Sequence, residues 1–167
     1  MNYKVKYLHC EKSLLESLKQ NIEDVFSVIN SIEWKKDFEV NYSGRILRHQ
    51  TAYNKVFEIE FEKLGWEKQP LLSNNPKLIG DFQKKGVFVE VQFGNSATLY
   101  RDYYKFQYGF QKGLLSLCIL IVPDKPIEFF PNRVKSVNNM AEYDLALRYF
   151  TIIPVSIPTV IIGLNHN

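Results

Sequence analysis

The sequence predicts an α/β domain with a mixed central β-sheet flanked by helices, on three observations. Apolar residues recur at helical spacing through two early segments. Leu78–Phe93 alternates like a strand, turns once, and alternates again. Leu114–Val122 is an unbroken apolar run between Gly113 and Pro123, as suits a strand covered on both faces. Placed in order, the elements read helix, helix, hairpin, helix, strand, helix, strand, which is a layered α/β arrangement.

The first helix is expected over Glu11–Trp34, where Leu14, Leu15, Leu18, Ile22, Val25, Phe26, Ile29 and Ile32 share a face and Lys12, Glu16, Lys19, Gln20, Glu23 and Asp24 oppose it. Such a stripe covers a sheet or forms a dimer seam. Asn41–Arg45 reads as a turn. A second helix over Thr51–Leu64 should turn Val56, Phe57, Ile59 and Phe61 inward and stop at Gly65. Pro70–Pro76 reads as a polar connection. After the hairpin, Gly94–Thr98 breaks the strand and offers caps for a helix over Leu99–Gln111. That helix interleaves Tyr100, Tyr103, Tyr104, Phe106, Tyr108 and Phe110 with Arg101, Lys105 and Lys112. A proline-marked loop, Pro123–Pro131, precedes a helix over Val134–Tyr149 and a last strand at Thr159–Leu164.

Composition narrows the class. In 167 residues the hydrophobic fraction is 46% and the aromatic fraction 14%, which excludes disorder and supports one globular domain. A net charge of +3 permits nucleic-acid binding without demanding it. Cys10 and Cys118 lack metal-type spacing, and Cys118 reads as a buried small hydrophobe. No signal peptide is seen, so a reducing cytoplasm is expected. The longest apolar run, Phe150–Leu164, is interrupted by Pro154 and Pro158 and is too short to span a bilayer. No glycine-rich phosphate loop is present.

The chemistry is expected in the hairpin. Val87, Val89, Val91 and Phe93 share one strand face, and Phe88, Glu90 and Gln92 the other. Asp81, on the preceding strand, falls beside Glu90 if the strands pair about the turn Gln83–Gly86. Two carboxylates with an adjacent amide, and a strand carbonyl at Val91, are a donor set for Mg²⁺, which takes one or two carboxylates and keeps waters. Such an ion activates water and neutralises phosphate in phosphodiester hydrolysis. Gln92 cannot titrate, so its expected role is to orient water or phosphate by hydrogen bonding. The competing reading has Glu90 and Gln92 facing solvent and Asp81 merely starting a turn. Glu60 either points at the Asp81 site or is a solvated charge, and the residues by themselves favour the second.

Asp81–Asn95, Asp-Phe-Gln-Lys-Lys-Gly-Val-Phe-Val-Glu-Val-Gln-Phe-Gly-Asn, resembles the active-site hairpin of the BglII-type restriction endonucleases. These belong to the PD-(D/E)XK nuclease superfamily, here in its variant with Gln at the third motif position. The similarity continues through the strand ending at Val122, Phe130-Pro131, Asn139–Tyr143 and Ile162–Leu164. More weakly, Asn54–Trp66 is similar to the helix before the site, with Glu60 in register.

The resemblance implies a restriction-endonuclease-like core and a homodimer that cuts double-stranded DNA at a short palindrome, with a GATC-centred site as the family-based guess. It implies Asp81 and Glu90 as metal ligands, to which the strand reading adds the Val91 carbonyl, and Gln92 as a catalytic residue, with Glu60 a further one by its register. Mg²⁺ is the expected cofactor, with Mn²⁺ as a substitute and Ca²⁺ binding without supporting cleavage. Asn95 falls at a base-contacting position, and Gln69 near a catalytic-site Asn of the family. Ser96, Asn132, Arg133, Lys84 and Lys85 are the further expected DNA contacts, Arg being the natural reader of guanine. Residues 1–66 are expected to form a helical part with the dimer interface, and 77–164 the catalytic core. The Pro131–Asn138 loop is shorter than the family's recognition loop, and a long extension that the family carries beyond the last strand is not seen before Asn167. Two other readings stay open: a superfamily nuclease without a fixed palindrome, and an inactive DNA-binding relative.

Overall fold

The computed structural model describes residues 1–152 and 157–166, so the expectations at Pro154 and Asn167 lie outside the described residues. The chain opens with strand β1 (Asn2–Leu8), then α1 (Lys12–Ser17), α2 (Lys19–Ser31), and the hairpin β2 (Glu39–Tyr42) and β3 (Arg45–Arg48). Helix α3 (His49–Lys63) leads to β4 (Glu67–Lys68), β5 (Leu71–Asn74), β6 (Lys77–Ile79), β7 (Phe82–Lys84) and β8 (Val87–Val91). Then come α4 (Thr98–Gln111), β9 (Leu117–Pro123), α5 (Pro126–Phe129), α6 (Val134–Val137), α7 (Tyr143–Ile152) and β10 (Thr159–Asn165).

A six-stranded mixed sheet of order β1-β10-β9-β8-β7-β4 forms the centre. β8, β9 and β10 are parallel, and β1, β7 and β4 run antiparallel to their neighbours. Each face has its own core. Val87, Val89, Val91 and Phe93 pack with Ile22, Val25, Phe57 and Phe61 from α2 and α3. Phe88 lies on the other face with Leu99 and Phe106 of α4. Strands β8 and β9 are buried throughout, including Cys118, so their near-continuous apolar runs match sheet coverage on both sides.

Several expected boundaries move for local reasons. The first helix is split at Leu18, whose φ of −107° and ψ of 14° leave the helical region. Ser17 donates its hydroxyl to the Leu14 carbonyl over 2.8 Å, a back-bond that bends helices. Residues 1–66 are not purely helical either, because β1 pairs with β10 at the sheet edge. The signal was present, since Tyr3, Val5 and Tyr7 alternate with Lys4 and Lys6.

On α3, Phe57 and Phe61 are buried with Ala52 and Tyr53, while Val56 and Ile59 are only half-buried. Gly65 ends this helix as expected: at φ +74° it lets the Trp66 amide reach back to the Phe61 carbonyl. The Pro70–Pro76 connection is instead part of the paired strands β5 and β6. The helix expected over Val134–Tyr149 is interrupted at Asn138–Glu142, where Met140 forms a bridge to Asn95. Among the described residues no helix is long and apolar enough to cross a membrane.

Candidate active site

The anticipated hairpin is two pieces. β6 pairs only with β5, and the chain breaks at Gly80-Asp81 before β7 joins β8. Gly80 permits the break: a side chain there would begin 2.0 Å from the Phe88 ring. Register Phe82↔Val89 puts Asp81 opposite Glu90. The Asp81 carboxylate is fixed by the Val91 amide, which donates to Oδ2 over 2.8 Å, and its backbone carbonyl accepts from the Gln69 amide at the same distance.

Glu90 is 2% exposed and does not face solvent. Burial and then the nearby Asp81 charge push its carboxyl well above the ordinary range, and Lys105 only partly counters this. Asp81 is also raised, chiefly by burial, with the Val91 bond opposing. Lys105 Nζ lies 2.7 Å from Glu90 Oε1 and 2.9 Å from Asp102 Oδ1. Lys105 is the group that meets Glu90 Oε1, which among the described residues accepts no other hydrogen bond. Burial lowers the Lys105 pKa, but the charges of Glu90 and Asp102 outweigh it and raise the value overall.

Gln92 is oriented without ambiguity. Its Nε2 donates to Asp102 Oδ2 at 2.7 Å, and its Oε1 accepts from the Gly94 amide at 2.8 Å. One Nε2 hydrogen and one lone pair remain for a water or phosphate.

Two cavities meet at Asp81, and Gln69 and Val91 also line both. One, of about 300 Å³, contains Glu90, Gln92, Arg101, Asp102 and Lys105. The other, of about 230 Å³, contains Asn54, Glu58 and Lys68. Glu60 is in neither; its carboxylate pairs with Lys63 at 2.6 Å. Glu58, two residues away and therefore about 200° around the helix, is the α3 acid beside Asp81. Two acids that were not singled out for the site, Glu58 and Asp102, thus belong to its walls, and so do the cations Lys68, Arg101 and Lys105. Their signals were i,i+4 spacing from Asn54 for Glu58 and i,i+3 spacing to Lys105 for Asp102.

The expected DNA contacts divide. Asn95 is exposed just beyond β8, its Oδ1 accepting from the Ala97 amide, and the Ser96 amide donates to the Asn139 carbonyl. Arg133 donates to Gln50, whose Nε2 reaches the Phe93 carbonyl at 2.5 Å, so Arg133 is tied to the same end of β8. Asn132 is hydrogen-bonded to Asp37. Lys84 and Lys85 sit at the opposite end of the hairpin, five residues or about 16 Å along the strand from Glu90 to Lys85. The Lys84 ammonium is engaged by Asp24 and the Leu64 carbonyl, each at 2.7 Å. The structure does not bring these two lysines to the carboxylates.

A family model described as restriction endonuclease BglII/BglIII matches residues 3–164. The chain belongs to that family. Among solved structures, it is similar to BglII complexed with a DNA 16-mer, with a TM-score of 0.80 and 14% identity over 100% of this chain and 78% of that one. It is also similar to free BglII, with a TM-score of 0.69 and 15% identity over 100% of this chain and 81% of that one. No curated protein matches the sequence. At these identities the structural likeness concerns the fold, which is the restriction-endonuclease fold the sequence led us to expect.

The donor set fits the divalent ion that this family implies. Asp81 and Glu90 are adjacent carboxylates, the first half-buried and the second buried, and both line the same cavity. Among the described residues no three His, Cys, Asp or Glu side chains are grouped so as to hold a metal ion, so the protein's acidic ligands here are the two carboxylates. A two-carboxylate site that leaves positions to water and phosphate suits Mg²⁺.

Proposed function

We propose that this restriction endonuclease is a type II enzyme that hydrolyses double-stranded DNA at a short palindrome, using a divalent cation held by Asp81, Glu90 and the Val91 carbonyl. The observation that supports this is the adjacency of the Asp81 and Glu90 carboxylates beside the fixed amide of Gln92. When bound, Mg²⁺ supplies a water of lowered pKa and charge neutralisation at the scissile phosphate. Mn²⁺ substitutes for it, and Ca²⁺ binds without supporting turnover.

The chain's own groups do the positioning. Asp102 and the Gly94 amide hold Gln92, whose free N–H orients the attacking water or a phosphate oxygen. Arg101, exposed at the rim of the Glu90 cavity, meets the DNA backbone. Asn95, Ser96, Asn132 and Arg133 read or border the bases. A homodimer presents two such sites to the two strands of a palindrome, GATC-centred as the first sequence to try.

The test is digestion of unmethylated DNA with Mg²⁺, beside Asp81→Ala and a Ca²⁺ control, with sequencing of the product ends. Discrete fragments with a shared palindromic end, absent with Asp81→Ala and with Ca²⁺, are expected. Random ends would replace the restriction reading with a non-specific nuclease, and binding without cutting in any metal would reduce it to a DNA-binding role.

A further inference from the structure

Lys105 is unusual for where its charge is spent. Its side chain is 6% exposed, and its ammonium reaches Glu90 on β8 and Asp102 one turn earlier on α4. Lysine is almost never buried unless paired, and here one of its partners is the carboxylate assigned above to a divalent cation. A Glu90 oxygen 2.7 Å from an ammonium cannot offer itself fully to a hard cation as well. The second partner, Asp102, accepts from Gln92 and so connects the same lysine to the motif amide.

We propose that Lys105 and the divalent cation compete for the Glu90 carboxylate, which makes Lys105 a positioning residue that sets the site's affinity for its cation while anchoring Gln92 through Asp102. The inference rests on the reading of Asp81 and Glu90 as cation ligands. Removing a positive charge within a few ångströms of a cation site both lifts competition for the ligand and removes repulsion. Loss of Lys105 therefore tightens cation binding while it loosens the Asp102–Gln92 anchor and slows cleavage. A lysine that only supported the fold would act the opposite way, since its loss would disorder the carboxylates and weaken binding.

The experiment is calorimetric titration of the full chain with Ca²⁺ at pH 8.5 without DNA, for wild type, Lys105→Gln, Lys105→Met, Lys105→Arg and Asp81→Asn. The Gln and Met variants should bind Ca²⁺ about tenfold tighter than wild type, and Arg should stay within about threefold of it. Mg²⁺-dependent cleavage should fall in the same two neutral variants. Circular dichroism checks folding, and the polar Gln variant covers the case in which Met does not fold. In wild type, the Lys105 ¹⁵Nζ resonance should shift on Ca²⁺ saturation. Unchanged or weaker Ca²⁺ binding in a folded Gln variant overturns the proposal, as does a Lys105 resonance indifferent to Ca²⁺. Failure of the underlying reading looks different: wild type would not bind Ca²⁺, or binding would ignore Asp81→Asn.

Discussion

The Val91 amide donates to Asp81 Oδ2 over 2.8 Å, and this bond ties the chain break after β6 to the central strand that carries Glu90. An Asn at 81 can accept the same bond through its Oδ1, so the geometry survives while one of two neighbouring negative charges is removed. Asp81→Asn should therefore lose roughly 10³-fold or more in Mg²⁺-dependent cleavage. It should also be about 1 kcal/mol more stable than wild type at pH 8 without added cation, as expected where a site stores repulsion for function. Plasmid digestion and urea unfolding check the two halves.

The same pair gives a pH dependence. Burial raises the carboxyls of Asp81 and Glu90 above their unfolded values. A group raised on folding contributes stability that is fully present below its unfolded pKa, about 4, and that is lost as pH rises through the folded value. Stability without cation should accordingly fall as these two groups ionise. The gain in Tm on adding Ca²⁺ should grow over the same interval and vanish in Asp81→Asn/Glu90→Gln. Thermal melts from pH 5 to pH 9, with and without Ca²⁺, measure it.

Lys84 is engaged within the fold, and we expect its role there to outweigh any on DNA. Its ammonium meets Asp24, which also accepts from Trp66 Nε1 at 3.2 Å. Burial works to raise the Asp24 carboxyl, but the bonds from Lys84, Gln20 and Trp66 hold it below the usual carboxylate range. Lys84→Met should cost about 1–3 kcal/mol and leave the salt dependence of DNA binding unchanged. A depressed carboxylate stabilises above its unfolded pKa and loses that contribution as pH falls through the folded value. The difference between wild type and Lys84→Met should hold from pH 7 to pH 5 and shrink below about pH 4.

The two acids on α3 should separate cleanly. Glu60 pairs with Lys63 outside both cavities, whereas Glu58 lines the one beside Asp81 and pairs with Lys55 and Lys68 at 2.5 and 3.3 Å. Glu60→Gln should cleave within about threefold of wild type, and Glu58→Gln should lose roughly tenfold or more. Single-turnover rates on a saturating substrate decide it. A larger loss at Glu60 would restore that residue to the site.

Gly80 is held by sterics, since a Cβ there collides with the Phe88 ring at 2.0 Å. Gly80→Ala should cost about 1–3 kcal/mol by overpacking and should displace Asp81. Denaturant midpoints should drop, and Ca²⁺ affinity should weaken in parallel. The companion change Phe88→Leu, which clears the space, should return part of both.

Much of this protein is determined along the chain by itself. Alternation from Val87 to Phe93 sorts the valines to one face and Glu90 and Gln92 to the other, because a strand's period is fixed at two. The apolar run of Leu117–Val122 specifies a strand covered on both sides, and Gly65 stops a helix through its positive φ. These are local rules, and the Asp81/Glu90/Gln92 set follows from them once the turn at Lys85-Gly86 is read. What needed the tertiary structure were facts about partners distant in sequence. Which face of α3 meets Asp81 depends on how that helix docks, and docking puts Glu58, not Glu60, in the wall of the cavity beside Asp81. Whether Lys84 is free depends on Asp24, sixty residues earlier, reaching it. That the cation beside Glu90 comes from α4 depends on the helix packing across β8. Pairing of charges across a core is decided by the geometry of burial, where each ammonium and carboxylate must find a partner or remain in water, and no pattern along one segment encodes that choice.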